Sequence, residues 1–329
     1  MAIILTGDRP TGRLHIGHLL GSLLNRAKLQ TQHETYVEIA DVQALTDHFK
    51  QPATIRDNVY EVVLDNLAAG LDPNISTIFI QSLVPEIAEL TVFFGNLVTL
   101  TRLERNPTVK SEIEQKRSVF KGGVTYGFLG YPISQAADIL IFKAELVPVG
   151  EDQEPMLEQA REIAHKFNAI YGKTFPEPRA ILSDIPRLKA LDGSAKMSKS
   201  LGNAIYIADD PAGIDKKIKA AVTDPQKIRR HDPGHPRICP VYSYQKIFNS
   251  SQAKDIAKEC QAGRLGCVDC KSCLAKSLAA YLAPFQERRR SYANNLPKVR
   301  DIVRDGTAKA RQRARETMED VREKMQINY

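Results

Sequence analysis

Ile3-Ile4-Leu5-Thr6-Gly7-Asp8-Arg9-Pro10-Thr11-Gly12-Arg13-Leu14-His15-Ile16-Gly17-His18 opens the chain, and its reading decides the fold. Three apolar residues form a short strand that ends at Thr6-Gly7. A loop shaped by Pro10-Thr11-Gly12 follows, and a helix is expected over 17–30. A strand that turns through glycine into a helix is a place where a nucleotide can meet the backbone. Gly17 permits close approach, and the new helix offers free N–H groups and a positive dipole end to phosphate. His15 and His18 add directional donors for charge building on an α-phosphate. Taken alone, the same pair is as well read as two histidines on a surface loop.

Outward from this stretch the strand–helix rhythm repeats. Strands are expected at 3–5, 36–40, 77–80 and 147–149. Helices are expected over 55–69, closed by Gly70, and over 132–141 and 153–167. Such alternation predicts an α/β fold: a doubly wound, parallel, Rossmann-like sheet with substrates beyond the carboxyl ends of its strands. Past residue 206 strand signals fade and amphipathic helices dominate. Two domains are therefore expected, a Rossmann-like activation domain at 1–206 and a helical domain at 207–329.

A second motif, Ala195-Lys196-Met197-Ser198-Lys199-Ser200, lies about 180 residues after the first, between Gly193 and Gly202. Two lysines on a small-residue loop can hold a departing pyrophosphate and close only over ATP. A solvated basic loop is the plainer reading of this segment by itself.

The composition, 43% apolar and 26% charged over 329 residues, is that of a globular protein. The apolar start is too short for a leader or a membrane span, so a cytoplasmic protein without membrane attachment is expected. Net charge is +7, and residues 287–329 hold 12 Lys/Arg against 7 Asp/Glu. With the basic segment at 216–230 this suits a polyanion such as RNA; a salt-bridged, solvated helix accounts for the charge equally well.

The two motifs together, flanking a doubly wound pattern, resemble class I aminoacyl-tRNA synthetases over the whole chain. The resemblance implies that His15, His18, Lys196 and Lys199 are catalytic. It also implies that Arg9, Thr11, Gly17, His18, Gly150, Asp152, Lys196, Met197, Ser198 and Lys199 bind ATP, which enters with Mg²⁺. No protein nucleophile is required: the amino-acid carboxylate attacks the α-phosphate in line, so positioning and electrostatics carry the catalysis.

Tyr131, Gln135 and Asp138 recur at i, i+4 and i+7, on one helix face. Asp138 can accept from an indole N–H or a phenol O–H, so this face alone leaves tryptophan and tyrosine open. The following Val147-Pro148-Val149-Gly150-Glu151-Asp152-Gln153, with residues 6–12 and 40–46, resembles bacterial tryptophanyl-tRNA synthetases. On that resemblance Leu5, Gln43, Tyr131, Gln135, Asp138, Val147, Val149 and Gln153 line a tryptophan pocket, Asp138 reads the indole, and the valines wall its ring. Gln135, Gln43 and Arg9 stand where commoner members carry Met, His and Gln, which suits a divergent form. Tyrosine activation is the alternative, and a non-catalytic RNA-binding paralogue a further one. The implied partners are L-tryptophan, ATP, tRNA(Trp) and a second copy of the chain, docked through the middle of the sheet domain.

All five cysteines fall within 239–273, spaced Cys239-x20-Cys260-x6-Cys267-x2-Cys270-x2-Cys273. Clustered thiolates suit Zn²⁺ or an iron–sulfur cluster, and spacing does not choose between them. The layout resembles a subset of tryptophanyl-tRNA synthetases with a [4Fe-4S] cluster in an anticodon-binding helical domain. That resemblance implies Cys239, Cys260, Cys267 and Cys270 as ligands, with Cys273 spare.

Overall fold

The computed structural model describes residues 1–150, 153–182, 188, 190–194, 197 and 203–329. β1 (Ile3–Asp8) leads into a helical stretch of three pieces: α1 (Ile16–His18), a π-helical turn at Leu19–Leu23, and α2 (Leu24–Leu29). The uniform helix expected over 17–30 is thus interrupted by wider π winding, a feature that hydrophobic spacing does not encode. β2 (Glu34–Ile39), α3 (Asp41–His48) and α4 (Pro52–Ala68) lead to β3 (Ser76–Ile80). α4 starts on a proline whose φ suits a first turn, and stops where Gly70 adopts φ +104°.

A 3-10 turn at Gln81–Leu83 precedes α5 (Glu86–Gly95), α6 (Leu100–Glu104) and α7 (Pro107–Gln115), none of them expected from the sequence. Next come α8 (Tyr126–Ile141), β4 (Leu146–Val149), α9 (Glu154–Tyr171) and β5 (Arg179–Leu182). α8 begins earlier than expected because the Thr125 hydroxyl caps it, accepting from the Phe128 N–H at 3.2 Å. Pro132 is consequently inside the helix, where it forgoes one backbone hydrogen bond, and does not open it. The chain ends in helices: α10 (Pro211–Ala220), α11 (Pro240–Phe248), α12 (Ala253–Gln261), α13 (Cys267–Ala293) and α14 (Leu296–Lys324).

The five strands form a parallel sheet in the order β3-β2-β1-β4-β5, as the alternation predicted. β1 pairs with β2 over its whole length, from Ile3↔Glu34 to Asp8↔Ile39. It pairs with β4 only at Ile4↔Leu146. Strand order reverses between these two neighbours, and they part toward their carboxyl ends. That parting is the crevice in which doubly wound sheets bind ligands.

Aromatic side chains pack between the sheet and α8. Tyr36 stacks on Phe142 with ring centres 4.6 Å apart, and Phe79 meets Phe142 at 5.0 Å. α14 closes the same core with Ala310, Ala314, Met318 and Val321. It comes so near β3 that a Cβ on Gly306 would stand 2.1 Å from the Ile78 carbonyl oxygen. Arg311 and Arg315 donate to Glu86 at 3.1 and 3.2 Å, Arg322 donates to Glu89 at 2.9 Å, and Lys143 reaches Asp320 at 2.7 Å. For these arginines the salt-bridged helix is the reading that holds: they are occupied in the fold.

Two compact units result: Met1–Gly12, Ser22–Asp184 and Tyr292–Tyr329 form one, and Arg13–Gly21 with Ile185–Ser291 the other. A single cut at 206/207 does not describe them. The apolar face of α14 returns the chain's last segment to the sheet, and the segment around His15 joins the helical unit by pairing with residues 205–207. No helix among the described residues is long and apolar enough to cross a membrane.

Candidate active site

In the sheet unit the centre of the candidate pocket is Asp138, 3% exposed on α8. Gln81 Nε2 donates to its Oδ1 at 2.8 Å, and Gln43 Nε2 donates to its Oδ2 at 3.2 Å. The Gln43 N–H in turn donates to Gln81 Oε1 at 3.0 Å, which obliges the Gln81 amide to present its NH₂ to Asp138. Glu38, on β2 and 4% exposed, hydrogen-bonds Asp138 as well. Burial lifts the Asp138 carboxyl above the usual carboxylate range, against the lowering effect of hydrogen bonds from Gln81, Gln43 and Glu38. Burial and the neighbouring Asp138 and Asp41 lift Glu38 well above it too.

Leu5 on β1 and Val147 on β4 are buried and Val149 is half-buried, so all three sit on the strands that part. Gln43 also donates to the Tyr131 carbonyl at 3.4 Å. The Tyr131 hydroxyl is buried without a hydrogen-bond partner among the described residues, its ring edge-on to Phe128 at 5.3 Å. Gln135 and Gln153 are half-buried. Glu38 and Gln81 were not expected. A carboxylate within the apolar run of β2 was the available signal for Glu38; Gln81 becomes meaningful only when the 3-10 turn brings it to α8.

Arg9 is ion-paired with Asp47, which Lys116 Nζ also contacts at 2.8 Å. Burial raises the Asp47 carboxyl, but Arg9, Lys116 and His48 together hold it below its ordinary range. Thr11 donates its N–H to the Arg9 carbonyl at 2.8 Å, shaping the loop after β1, and Gly150 is exposed beyond β4. Asp152 lies outside the described residues.

In the helical unit the two histidines cap their own helix. His15 Nδ1 accepts from the Gly17 N–H at 3.1 Å, and His18 Nδ1 accepts from the His15 N–H at 3.3 Å. A ring nitrogen that accepts carries no proton, so each neutral imidazole bears its hydrogen on Nε2, directed away from the backbone. The rings lie 3.9 Å apart. Gly17 is required here: a Cβ would fall 2.9 Å from His15 Nδ1 and Cε1 and 3.6 Å from Met197 Sδ. Met197 is buried, whereas Lys196, Ser198 and Lys199 lie outside the described residues.

The five cysteines are half-buried. Cys239 precedes α11, Cys260 ends α12, and Cys267 and Cys270 open α13. Burial raises the Cys270 thiol to about 11, and Cys239, Cys260 and Cys267 are close enough to push it further in that direction. Burial raises the Cys239 thiol, and the nearby backbone of Tyr242, Asp224 and Val241 works against that rise. Cys273 is turned to Asn249, whose Nδ2 is 3.8 Å from its sulfur. Among the described residues no three His, Cys, Asp or Glu side chains stand at metal-holding distances from one point.

The family model for class I tRNA synthetases of W and Y type matches residues 1–283. The chain belongs to the class I tRNA synthetases. It is 49% identical to the tryptophan–tRNA ligase of Clostridium longisporum, over 99% of this chain and 97% of that one. It is 50% identical to the ligase of the same name from Lactococcus lactis, over 99% and 98%. Its fold matches the Campylobacter jejuni tryptophanyl-tRNA synthetase complexed with ADP and tryptophan at a TM-score of 0.86. That match has 30% identity and covers 98% of this chain and 99% of the other. As an aminoacyl-tRNA synthetase, the chain joins an amino acid to tRNA at the expense of ATP. The Rossmann-like sheet and α-helical remainder are those of its structural neighbours.

Proposed function

We propose that this synthetase is a tryptophan–tRNA ligase, which converts L-tryptophan and ATP to tryptophanyl-adenylate and pyrophosphate and then esterifies tRNA(Trp). The observation that carries this is the near-full-length match to tryptophan–tRNA ligases, and its chemical counterpart in the fold is Asp138. It is a buried carboxylate ringed by donors from Gln43, Gln81 and Glu38, so it can offer only an acceptor to a ligand. An indole N–H is a donor only. Relatives that bear the name tryptophan–tRNA ligase over nearly full length support the same substrate.

Leu5, Val147 and Val149 wall the ring, with Tyr131, Gln135 and Gln153 completing the pocket. The tryptophan carboxylate attacks the α-phosphorus in line, the new P–O bond forms as the bond to pyrophosphate breaks, and no protein nucleophile takes part. The Nε2–H groups of His15 and His18 stabilise the charge that grows on the α-phosphate, and Gly17 leaves the backbone open to it. Lys196 and Lys199, with Met197 and Ser198 between them, hold the leaving Mg²⁺-pyrophosphate. Arg9, Thr11, Gly150 and Asp152 hold the rest of ATP.

Cys239, Cys260, Cys267 and Cys270 are the proposed ligands of a [4Fe-4S] cluster, or of Zn²⁺. The thiols of Cys239, Cys260 and Cys267 are near enough to Cys270 to act on its charge, which supports such a group; once bound, it would supply a structural cross-link between α11, α12 and α13. The helical unit is proposed to read the tRNA anticodon. Leu83, Val92, Leu100 and Tyr126, all in the middle segment of the sheet unit, are exposed and support a homodimer through that segment.

ATP–pyrophosphate exchange with tryptophan and with tyrosine tests the reading. Exchange is expected with tryptophan alone. Exchange with tyrosine alone would make Tyr131, Gln135 and Asp138 a phenol grip, and exchange with neither would leave an RNA-binding paralogue.

A further inference from the structure

We propose that Glu38 is a positioning residue for amino-acid selection: as a neutral acid it donates a hydrogen bond to Asp138 and holds that carboxylate with one acceptor position turned toward the ligand's ring N–H. The proposal rests on the tryptophan reading of Asp138.

The placement follows from two periodicities. Side chains two apart on a strand share a face, so Glu38 lies on the same side of β2 as Tyr36. Tyr36 stacks on Phe142 of α8, and Asp138 is one helical turn before Phe142. Two strand residues and one helical turn span similar distances, about 6.6 and 5.4 Å, so Glu38 arrives at Asp138. Gly7, its register partner on β1, makes the room: a Cβ there would fall 2.9 Å from Glu38 Cβ and 2.8 Å from its carbonyl oxygen.

The hydrogen-bonding capacity then settles which acid carries the proton. A carboxylate has about four acceptor positions; Gln81, Gln43 and Glu38 take three on Asp138. Glu38 Oε1 is buried with no hydrogen-bond partner among the described residues. An orphaned carboxylate oxygen is costly, whereas the carbonyl oxygen of a neutral acid is tolerable, so Glu38 is the protonated member and its O–H faces Asp138. The groups that face it favour this too: Asp41 and Gln43 from α3, Gln81 from the 3-10 turn, Asp138 from α8, and no side chain from Gly7. A Val or Ile would suit the strand better; an acid at this position points to the site rather than to the fold.

The chain contains no tryptophan, so bound ligand can be followed by its own fluorescence. Tryptophan affinity is to be titrated from pH 6 to 9 for the parent, Glu38→Gln and Glu38→Leu, with ATP affinity as the control for folding. Raising the pH strips the shared proton and sets two buried anions against each other, so the parent is expected to lose affinity toward alkaline pH. Glu38→Gln keeps a donor that does not titrate: it should bind within a few-fold of the parent near pH 6.5 and keep that affinity as pH rises. Glu38→Leu should bind about tenfold more weakly throughout while retaining ATP affinity. Superimposable pH profiles of parent and Glu38→Gln, or parent-like binding by Glu38→Leu, would overturn the proposal. Asp138→Ala separates the two layers. If it too binds normally, the pocket lies elsewhere; if it alone is impaired, only the role of Glu38 fails.

Discussion

Gly17 is a residue at which an added methyl group acts directly on the chemistry. Its missing Cβ is the space occupied by the His15 ring, and its N–H is what orients that ring. Gly17→Ala should therefore displace His15 and slow adenylate formation by tenfold or more in single-turnover assays. Tryptophan affinity should stay unchanged, since the pocket around Asp138 belongs to the other unit. An unchanged rate would remove His15 from the reacting phosphate. His15 and His18 stand out in the sequence because they sit at a strand–helix junction, and Asp138 because it shares a helix face with Tyr131 and Gln135. Glu38 and Gln81 do not, because their meaning comes from partners about 100 and 57 positions away along the chain. Glu38 stands within the apolar run of β2, and only packing shows what it faces.

Among the elements, β1 to β4 were readable from apolar runs bounded by turns, while β5 was not: its four residues have an exposed, unpatterned edge character. The start of α8 was misplaced because Pro132 reads as a first-turn proline, and the Thr125 cap lies too far upstream to compete with it by pattern alone. Gly306 in α14 is a test of element packing. Helix propensity favours alanine over glycine by about 0.5–1 kcal/mol. The contact with the Ile78 backbone, which has no rotamer to yield, argues the opposite sign. Gly306→Ala should destabilise the protein by about 1–3 kcal/mol in denaturant titrations; a stabilised variant would show that α14 can lift from β3 at no cost. At α11, α12 and α13, anaerobically purified protein should contain about four iron and four sulfide per chain and be brown. One zinc in colourless protein would assign the other metal, and no metal in either preparation would leave the thiols free.

On the scale of the whole molecule, the sequence texture suggested two consecutive domains, and the structure shows two interleaved ones. The texture was not misleading about element type. It carries no information about which unit a helix packs against, because an amphipathic face is satisfied by either. The return of residues 292–329 to the sheet has a consequence for biosynthesis. The sheet's first 184 residues leave the ribosome well before α14 exists, and at about 5–20 residues per second the wait is on the order of ten seconds. During that interval the β3 backbone near Ile78 and the apolar residues that α14 covers are without that cover. A chain that ends before α14 is expected to leave this part of the sheet open, and to be cut by protease faster than the full chain.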